Sequence, residues 1–299
     1  MDDPARGRPL SEPGEPDAAG EPDAAGERTA AGERLPIPAG LDATLVLVRH
    51  GESELIVERR FQGRLDTALS PLGRRQAERV AARLARPAHG SPLPVPKGSP
   101  RAIVHSPLSR AAETAAAIAR ARNEEPLLRP DERFSEIGQG DWEGRLASEI
   151  AEHDGERLAA WRSRPTDAWA PGGESLVGVR RRVVEGLADL LVDLAAAGPP
   201  GSLLASQVGG YRDEAAATHP WSILVGHDGV FKVVLLSVFD LPLERFWMWS
   251  SELCAISVVE IRAGRPVIRA MNLSDHLAGL ADEAVAEHET QERARLGAL

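Results

Sequence analysis

Three apolar runs, Thr44–Arg49, Arg101–His105 and Trp221–Gly226, are each too short for a helix and each end abruptly in polar residues. Apolar runs of this length fit strands buried on both faces of a sheet. The stretches between them have helical period. Pro71–Arg86 reads as a helix, with Ser70 placed to cap it, Pro71 suited to its first turn, and a stripe of Leu72, Ala77, Val80, Ala81 and Leu84. Ser106–Arg122 reads as a second helix, with Leu108, Ala112, Ala115 and Ile118 facing inward. Leu146–Arg162 is a broken helix, Glu174–Ala196 a long amphipathic one, and Val230–Phe239 an apolar one. Pro126–Arg129 reads as a short extended piece. Cys254–Ile261 and Pro266–Met271 read as a hairpin turning at Ala263-Gly264. This alternation predicts an α/β fold: a three-layer sandwich, mostly parallel central sheet, helices on both faces, and an antiparallel edge.

Residues 1–40 differ in composition. Gly14-Glu15-Pro16-Asp17-Ala18-Ala19 recurs as Gly20-Glu21-Pro22-Asp23-Ala24-Ala25, and large apolar residues are almost absent. Such a segment cannot offset the entropy of ordering, so a disordered low-complexity tail is expected. The folded domain is expected over 41–277, and a polar helix or tail over 278–299. Pro199–Pro220 reads as a loop that breaks the pattern. The net charge of -10 argues against a general nucleic-acid binder, so any phosphate must meet a local positive pocket. One cysteine, Cys254, makes an internal disulfide impossible and fits a cytoplasmic address. No run is long enough to span a bilayer, and the N-terminus lacks the apolar region of a signal peptide. The expected partner is a small phosphorylated substrate, with no nucleic acid and no membrane. Exposed apolar helix faces would make a homodimer unsurprising.

The strand ends carry the chemistry. The first delivers Arg49-His50-Gly51, the second His105-Ser106-Pro107-Leu108-Ser109-Arg110, the third Gly226-His227-Asp228-Gly229. Ligands of parallel α/β sheets bind beyond the carboxyl ends of the strands, so these clusters should converge. Two arginines and two histidines can surround a phosphoryl group, and a neutral imidazole is a competent phosphoryl acceptor. The leaving oxygen then needs a proton, for which a carboxylic acid is the natural donor. Glu136, among small and apolar neighbours, is the first candidate, with Glu132, Asp141 and Glu143 as rivals that otherwise read as residues of a solvated loop. His105 is read as strand-end support, Asp228 as a helix cap, Glu174-Ser175 as the cap of the long helix, and Trp247 and Trp249 as core or lid packing. His89, His153, His219, His276 and His288 show no metal-ligand spacing.

Taken together, these blocks resemble the signature of the histidine phosphatase superfamily, also called phosphoglycerate mutase-like. The resemblance is carried by Leu47-Val48-Arg49-His50-Gly51-Glu52-Ser53, and by Phe61-Gln62-Gly63 with Asp66, Leu69, Gly73 and Gln76-Ala77. It continues through Ser106-Pro107-Leu108-Ser109-Arg110-Ala111 with Glu113-Thr114-Ala115, then Glu136 with Gly140-Asp141-Trp142-Glu143-Gly144. Pro171-Gly172-Gly173-Glu174-Ser175 and Val225-Gly226-His227-Asp228-Gly229-Val230 complete it. The resemblance implies His50 as the nucleophile that becomes phosphohistidine, and Arg49, Arg110 and His227 as the phosphate pocket. It implies Glu136 as general acid, Gln62, Gly63 and Ser53 on the substrate side, and no metal or organic cofactor. Two positions depart from it: Ile56 stands where Asn is common, and Asp228 where Gly is common. The absence of a long insertion after the acid region favours phosphomonoester hydrolysis. The alternatives are mutase-type phosphoryl transfer and a non-catalytic phospholigand-binding module.

Overall fold

The computed structural model describes residues 34–198 and 219–280. Among these residues six strands form one sheet in the order β3-β2-β4-β1-β5-β6. These are β1 Ala43–Arg49, β2 Ile103–His105, β3 Leu128–Pro130, β4 Trp221–Gly226, β5 Ile256–Arg262 and β6 Arg265–Leu273. β3, β2, β4 and β1 are parallel, whereas β5 and β6 close the far edge antiparallel. The helices are α1 Glu54–Val57, α2 Pro71–Ala85, α3 Ser109–Arg122, α4 Ala147–His153, α5 Gly155–Ser163, α6 Leu176–Ala197 and α7 Asp228–Val238.

Side-chain alternation along each strand divides the core into two layers. On β1, Ala43, Leu45 and Leu47 meet Leu187, Leu191, Val233 and Leu236 of α6 and α7. Val46 and Val48 face the other way, toward Val80, Leu84, Ala115 and Ile118 of α2 and α3. β2, β4 and β5 split in the same manner, so a continuous apolar strand is satisfied on both faces. This is the three-layer arrangement read from the sequence.

Several boundaries move for local reasons. α3 begins at Ser109 rather than Ser106, because Pro107 disfavours helix at Ser106 and the Ser106 N–H still pairs with the Val225 carbonyl at 3.1 Å. Ser70 caps α2 as expected, its Oγ accepting from the Gly73 N–H at 2.9 Å. The piece at Pro126–Arg129 starts as a 3-10 turn over Glu125–Leu127 and then forms the edge strand β3. β5 starts at Ile256, two residues after the expected Cys254. Cys254 instead takes a left-handed φ of 55°, and its N–H reaches the Arg49 and His50 carbonyls. Leu35 is buried and Ile37 packs on the core, so ordered packing reaches back past residue 41. Leu280 is likewise buried. The expectations for residues 1–33, the loop at 199–218 and the C-terminal stretch from 281 lie outside the described residues.

Candidate active site

β1 and β4 lie side by side with Arg49 opposite Gly226, so their next residues, His50 and His227, emerge together. The His50 N–H donates to the Gly226 carbonyl at 2.9 Å, and the two rings meet edge to face with centroids 5.0 Å apart. His50 Nδ1 lies 2.6 Å from the Gly51 carbonyl. A carbonyl only accepts, so Nδ1 carries the proton and Nε2 is left with a free lone pair. Burial, reinforced by Arg110 and Arg49, holds the ring well below the ordinary imidazole range. His50 is therefore neutral at physiological pH, the form that can attack phosphorus. The backbone beneath it is fixed from two sides. The Gly51 N–H donates to Thr114 Oγ1 at 3.2 Å, and a Cβ on Gly51 would lie 2.5 Å from the Gly73 carbonyl oxygen. Only glycine lets this loop pass so close to the start of α2.

Arg110 enters from the first turn of α3 and is fully buried. Its Nη1 and Nη2 donate to the carbonyls of Leu65 and Gly63 at 3.0 and 2.8 Å, which orients the guanidinium. Arg49 Nη1 donates to the Ser251 carbonyl. Arg110 Nε, Arg49 Nε and both His227 nitrogens are buried without a partner. Buried polar nitrogens left unpaired are costly, and those gathered beyond the carboxyl ends of β1 and β4 suit an oxyanion. Burial, followed by His50, Arg110, Arg49 and Arg182, pushes His227 down as well.

Glu136 reaches the same edge from the loop after the 3-10 turn Glu132–Phe134. Its Oε1 accepts from the N–H groups of Ile137 and Val230 at 2.9 and 3.2 Å, and Oε2 from that of Gly229 at 3.3 Å. A Cβ on Gly229 would sit 2.6 Å from Oε1, so this approach to α7 requires glycine. Burial raises the Glu136 carboxyl above its ordinary value despite those N–H groups and Arg110. Two of the rivals are engaged with other protein groups. Glu143 accepts from the N–H groups of Arg64 and Gln139 at 2.8 Å each, tying two loops together rather than lying in a solvated loop. Glu132 accepts from the Ser135 hydroxyl.

Two residues that hold Glu136 had no such role in the sequence reading. Arg182, on α6, donates to the carbonyls of Arg133, Ser135 and Glu136 at 2.8, 2.7 and 3.2 Å. Glu174 binds Arg182 at 3.0 Å and accepts from the Gly138 N–H at 2.8 Å. The only signal in the sequence is the run of three arginines, Arg180-Arg181-Arg182, in the amphipathic helix. Ser175 alone caps α6, accepting from the Gly178 N–H, so the paired cap with Glu174 is corrected.

The substrate-side residues are positioned in part. Gln62 accepts from the fully buried Ser53 hydroxyl at 2.6 Å, so Ser53 acts on Gln62. Gly63 presents its carbonyl to Arg110. Ile56 is half-buried in α1, beside the exposed Val57. His105 supports its strand end through a 2.9 Å contact with the Ser106 carbonyl. Asp228 is not a cap: His227 is the N-cap of α7 without a side-chain bond, and Asp228 binds the Ser251 N–H and Lys232. Trp249 packs on the core, while Trp247 is half-exposed against Trp161 and Phe246. Among the described residues, no group of three or more His, Cys, Asp or Glu is placed to hold a metal ion. No helix among them is long and apolar enough to cross a membrane.

A neutral histidine close to two arginines, with a raised carboxyl close to one of them, is an arrangement suited to phosphoryl transfer. The model of the histidine phosphatase superfamily (branch 1) matches residues 45–274. The chain belongs to that superfamily. It is 30% identical over 236 residues to phosphoserine phosphatase 1 of Hydrogenobacter thermophilus, covering 78% of this chain and 93% of that protein. It is 36% identical over 205 residues to glucosyl-3-phosphoglycerate phosphatase of Mycolicibacterium vanbaalenii, covering 68% and 76%. Among solved structures, a mycobacterial glucosyl-3-phosphoglycerate phosphatase complexed with VO3 aligns with a TM-score of 0.60 at 29% identity, covering 77% of this chain and 99% of that one. The chain spans 56% of the length of several longer mycobacterial relatives.

Proposed function

We propose that the chain hydrolyses small phosphomonoesters through a phosphohistidine on His50, with the carboxyl of Glu136 as the acid. The observation that carries this reading is the set of unpaired buried nitrogens on Arg49, Arg110 and His227 close to the neutral His50. Those groups bind the phosphoryl oxygens. His50 Nε2 forms a bond to phosphorus as the ester oxygen leaves, and Glu136 gives that oxygen its proton. The Glu136 carboxylate then takes a proton from water, whose oxygen displaces the imidazole and releases phosphate. Burial raises Glu136 toward the value an acid needs, and bound phosphate raises it further.

The relatives named as phosphatases of phosphoserine and of glucosyl-3-phosphoglycerate support a small phosphorylated metabolite as substrate. Candidates are phosphoglycerate derivatives, sugar phosphates and cobalamin-precursor phosphates, with the apolar Ile56 as one element of selection. A cytoplasmic enzyme fits the one free, buried cysteine, whose thiol burial pushes up and away from reactivity. The test is a panel of phosphate esters scored by kcat/KM, with and without chelator. Hydrolysis insensitive to chelator is expected. Phosphate binding without turnover would leave only a binding module, and isomerisation of phosphoglycerate faster than its hydrolysis would make the chain a mutase.

A further inference from the structure

Asp228, which stands where glycine is common in the resemblance, has both carboxylate oxygens committed. Oδ1 accepts from the Ser251 N–H at 2.8 Å, and the carbonyl of that same Ser251 accepts from Arg49 Nη1. Oδ2 lies 2.6 Å from Lys232 Nζ, one helical turn further along α7. Lys232 is buried, with its ammonium over the rings of Trp247 and Phe246 at 4.7 and 5.2 Å. The residue before Asp228 is His227, and the residue after it gives its N–H to Glu136.

We infer that Asp228 is a positioning residue for both halves of this site. Through Ser251 it fixes which edge of the Arg49 guanidinium is spent on protein and which is left for phosphate. With Lys232 it forms a charge pair at the start of α7 that sets the electrostatic field on Glu136. The inference rests on the reading of Arg49 and Glu136 given above.

The first half follows from hydrogen-bond direction. Arg49 Nη1 is occupied by Ser251, while its Nε is buried and unpaired. A guanidinium held at one corner is pre-organised toward the remaining ones. Without Asp228 the Ser251 segment loses a charge-assisted bond, and the corner loosens. The second half follows from sign. The charged groups acting on the Glu136 carboxyl are Arg110 from α3 and Asp228 from α7; Lys232 is bonded to that Asp228, and Arg182 from α6 binds the Glu136 backbone carbonyl. Arg110 favours the carboxylate, whereas the Asp228 charge favours the protonated acid. Lys232, bonded to Asp228, partly cancels that charge.

Two variants therefore move Glu136 in opposite directions. Asp228→Asn keeps an acceptor for the Ser251 N–H but removes the charge, so Glu136 should titrate lower. Lys232→Met keeps the packed volume beneath Trp247 but exposes the Asp228 charge, so Glu136 should titrate higher. Asp228→Ala removes the acceptor too. It should weaken binding of inorganic phosphate about tenfold, while Asp228→Asn leaves that binding within about twofold because the acceptor persists.

The experiment is a carbon-detected titration of the Glu136 carboxyl in the full chain and its three variants, with calorimetric binding of inorganic phosphate. General structural damage would not shift the same carboxyl up in one variant and down in another. Shifts of the same sign, or none, would overturn the electrostatic half. Equal loss of phosphate by the Asn and Ala variants would overturn the Arg49 half. Neither measurement needs turnover, so a chain that binds phosphate but does not hydrolyse esters would refute the proposed function and still decide this inference.

Discussion

Replacing Glu136 by Gln removes one proton and little else. The carboxyl accepts from the N–H groups of Ile137 and Val230 on Oε1 and of Gly229 on Oε2. The Gln oxygen can keep the first two, whereas its NH2 group faces the Gly229 N–H and loses the 3.3 Å contact. One weak hydrogen bond costs about 1 kcal/mol, so the variant should fold. Catalytically the loss is larger. General acid catalysis contributes about 10²–10⁴-fold, or about 3–5 kcal/mol of barrier. That loss depends on the leaving group. An alkyl ester departs as a strongly basic alkoxide and needs the proton, while an activated aryl ester does not. Single-turnover phosphorylation by an alkyl phosphate should therefore slow about 10³-fold and by p-nitrophenyl phosphate about tenfold or less. Equal losses on the two esters would refute Glu136 as the proton donor.

Other outcomes follow from the same geometry. Arg182→Met releases the three carbonyls that set the Glu136 loop, so it should lower kcat for alkyl esters more than for aryl esters, with KM little changed; a KM effect alone would contradict the clamp. Because His50 is held well below its ordinary value of 6.5, the acid limb of kcat/KM should fall below that pH; a limb at 6.5 would mean an imidazole that is not desolvated. His50 and His227 also make stability pH-dependent. The unfolded chain takes up their protons as pH drops below about 6.5, the folded chain does not, and stability is lost as pH falls toward their depressed values. Glu136, raised above its ordinary value, acts the other way: the stability it contributes is lost as pH rises through its raised value. His227→Gln should flatten the fall of the urea midpoint between about pH 7 and 5, and an unchanged slope would count against its burial as a neutral ring. Leu35→Ala should cost about 2–3 kcal/mol in urea unfolding, whereas no cost would return the start of the packed domain to residue 41.

The alternation of apolar runs and amphipathic helices made the layers legible, because strands buried on both faces cannot hide their composition. The residues at the strand ends were legible too: Arg49-His50-Gly51 and Gly226-His227 sit at the carboxyl ends of neighbouring parallel strands, where such sheets bind ligands. What was not legible depends on long-range backbone contacts. Nothing near Arg182 in the chain shows that it binds the carbonyls of Arg133, Ser135 and Glu136. Asp228 looked like a cap because acidic residues are common at helix starts. Its Ser251 partner is set by how α7 meets the segment before β5, whereas Lys232 lies one turn along the same helix. Glu143 looked like a solvated carboxylate for the same reason, although it accepts two N–H groups from loops far apart in the chain. Leu35 escaped notice because it follows a long polar tract, and a single apolar side chain carries no period.

The central claim is that His50 carries the phosphoryl group. Its direct test is a rapid alkaline quench of the full chain with a radiolabelled phosphate ester, followed by acid treatment and peptide mapping. The account predicts a label that survives base, is lost in acid, maps to the peptide containing His50 and is absent from His50→Asn. A label that resists acid, or that persists in the His50→Asn chain, would contradict it.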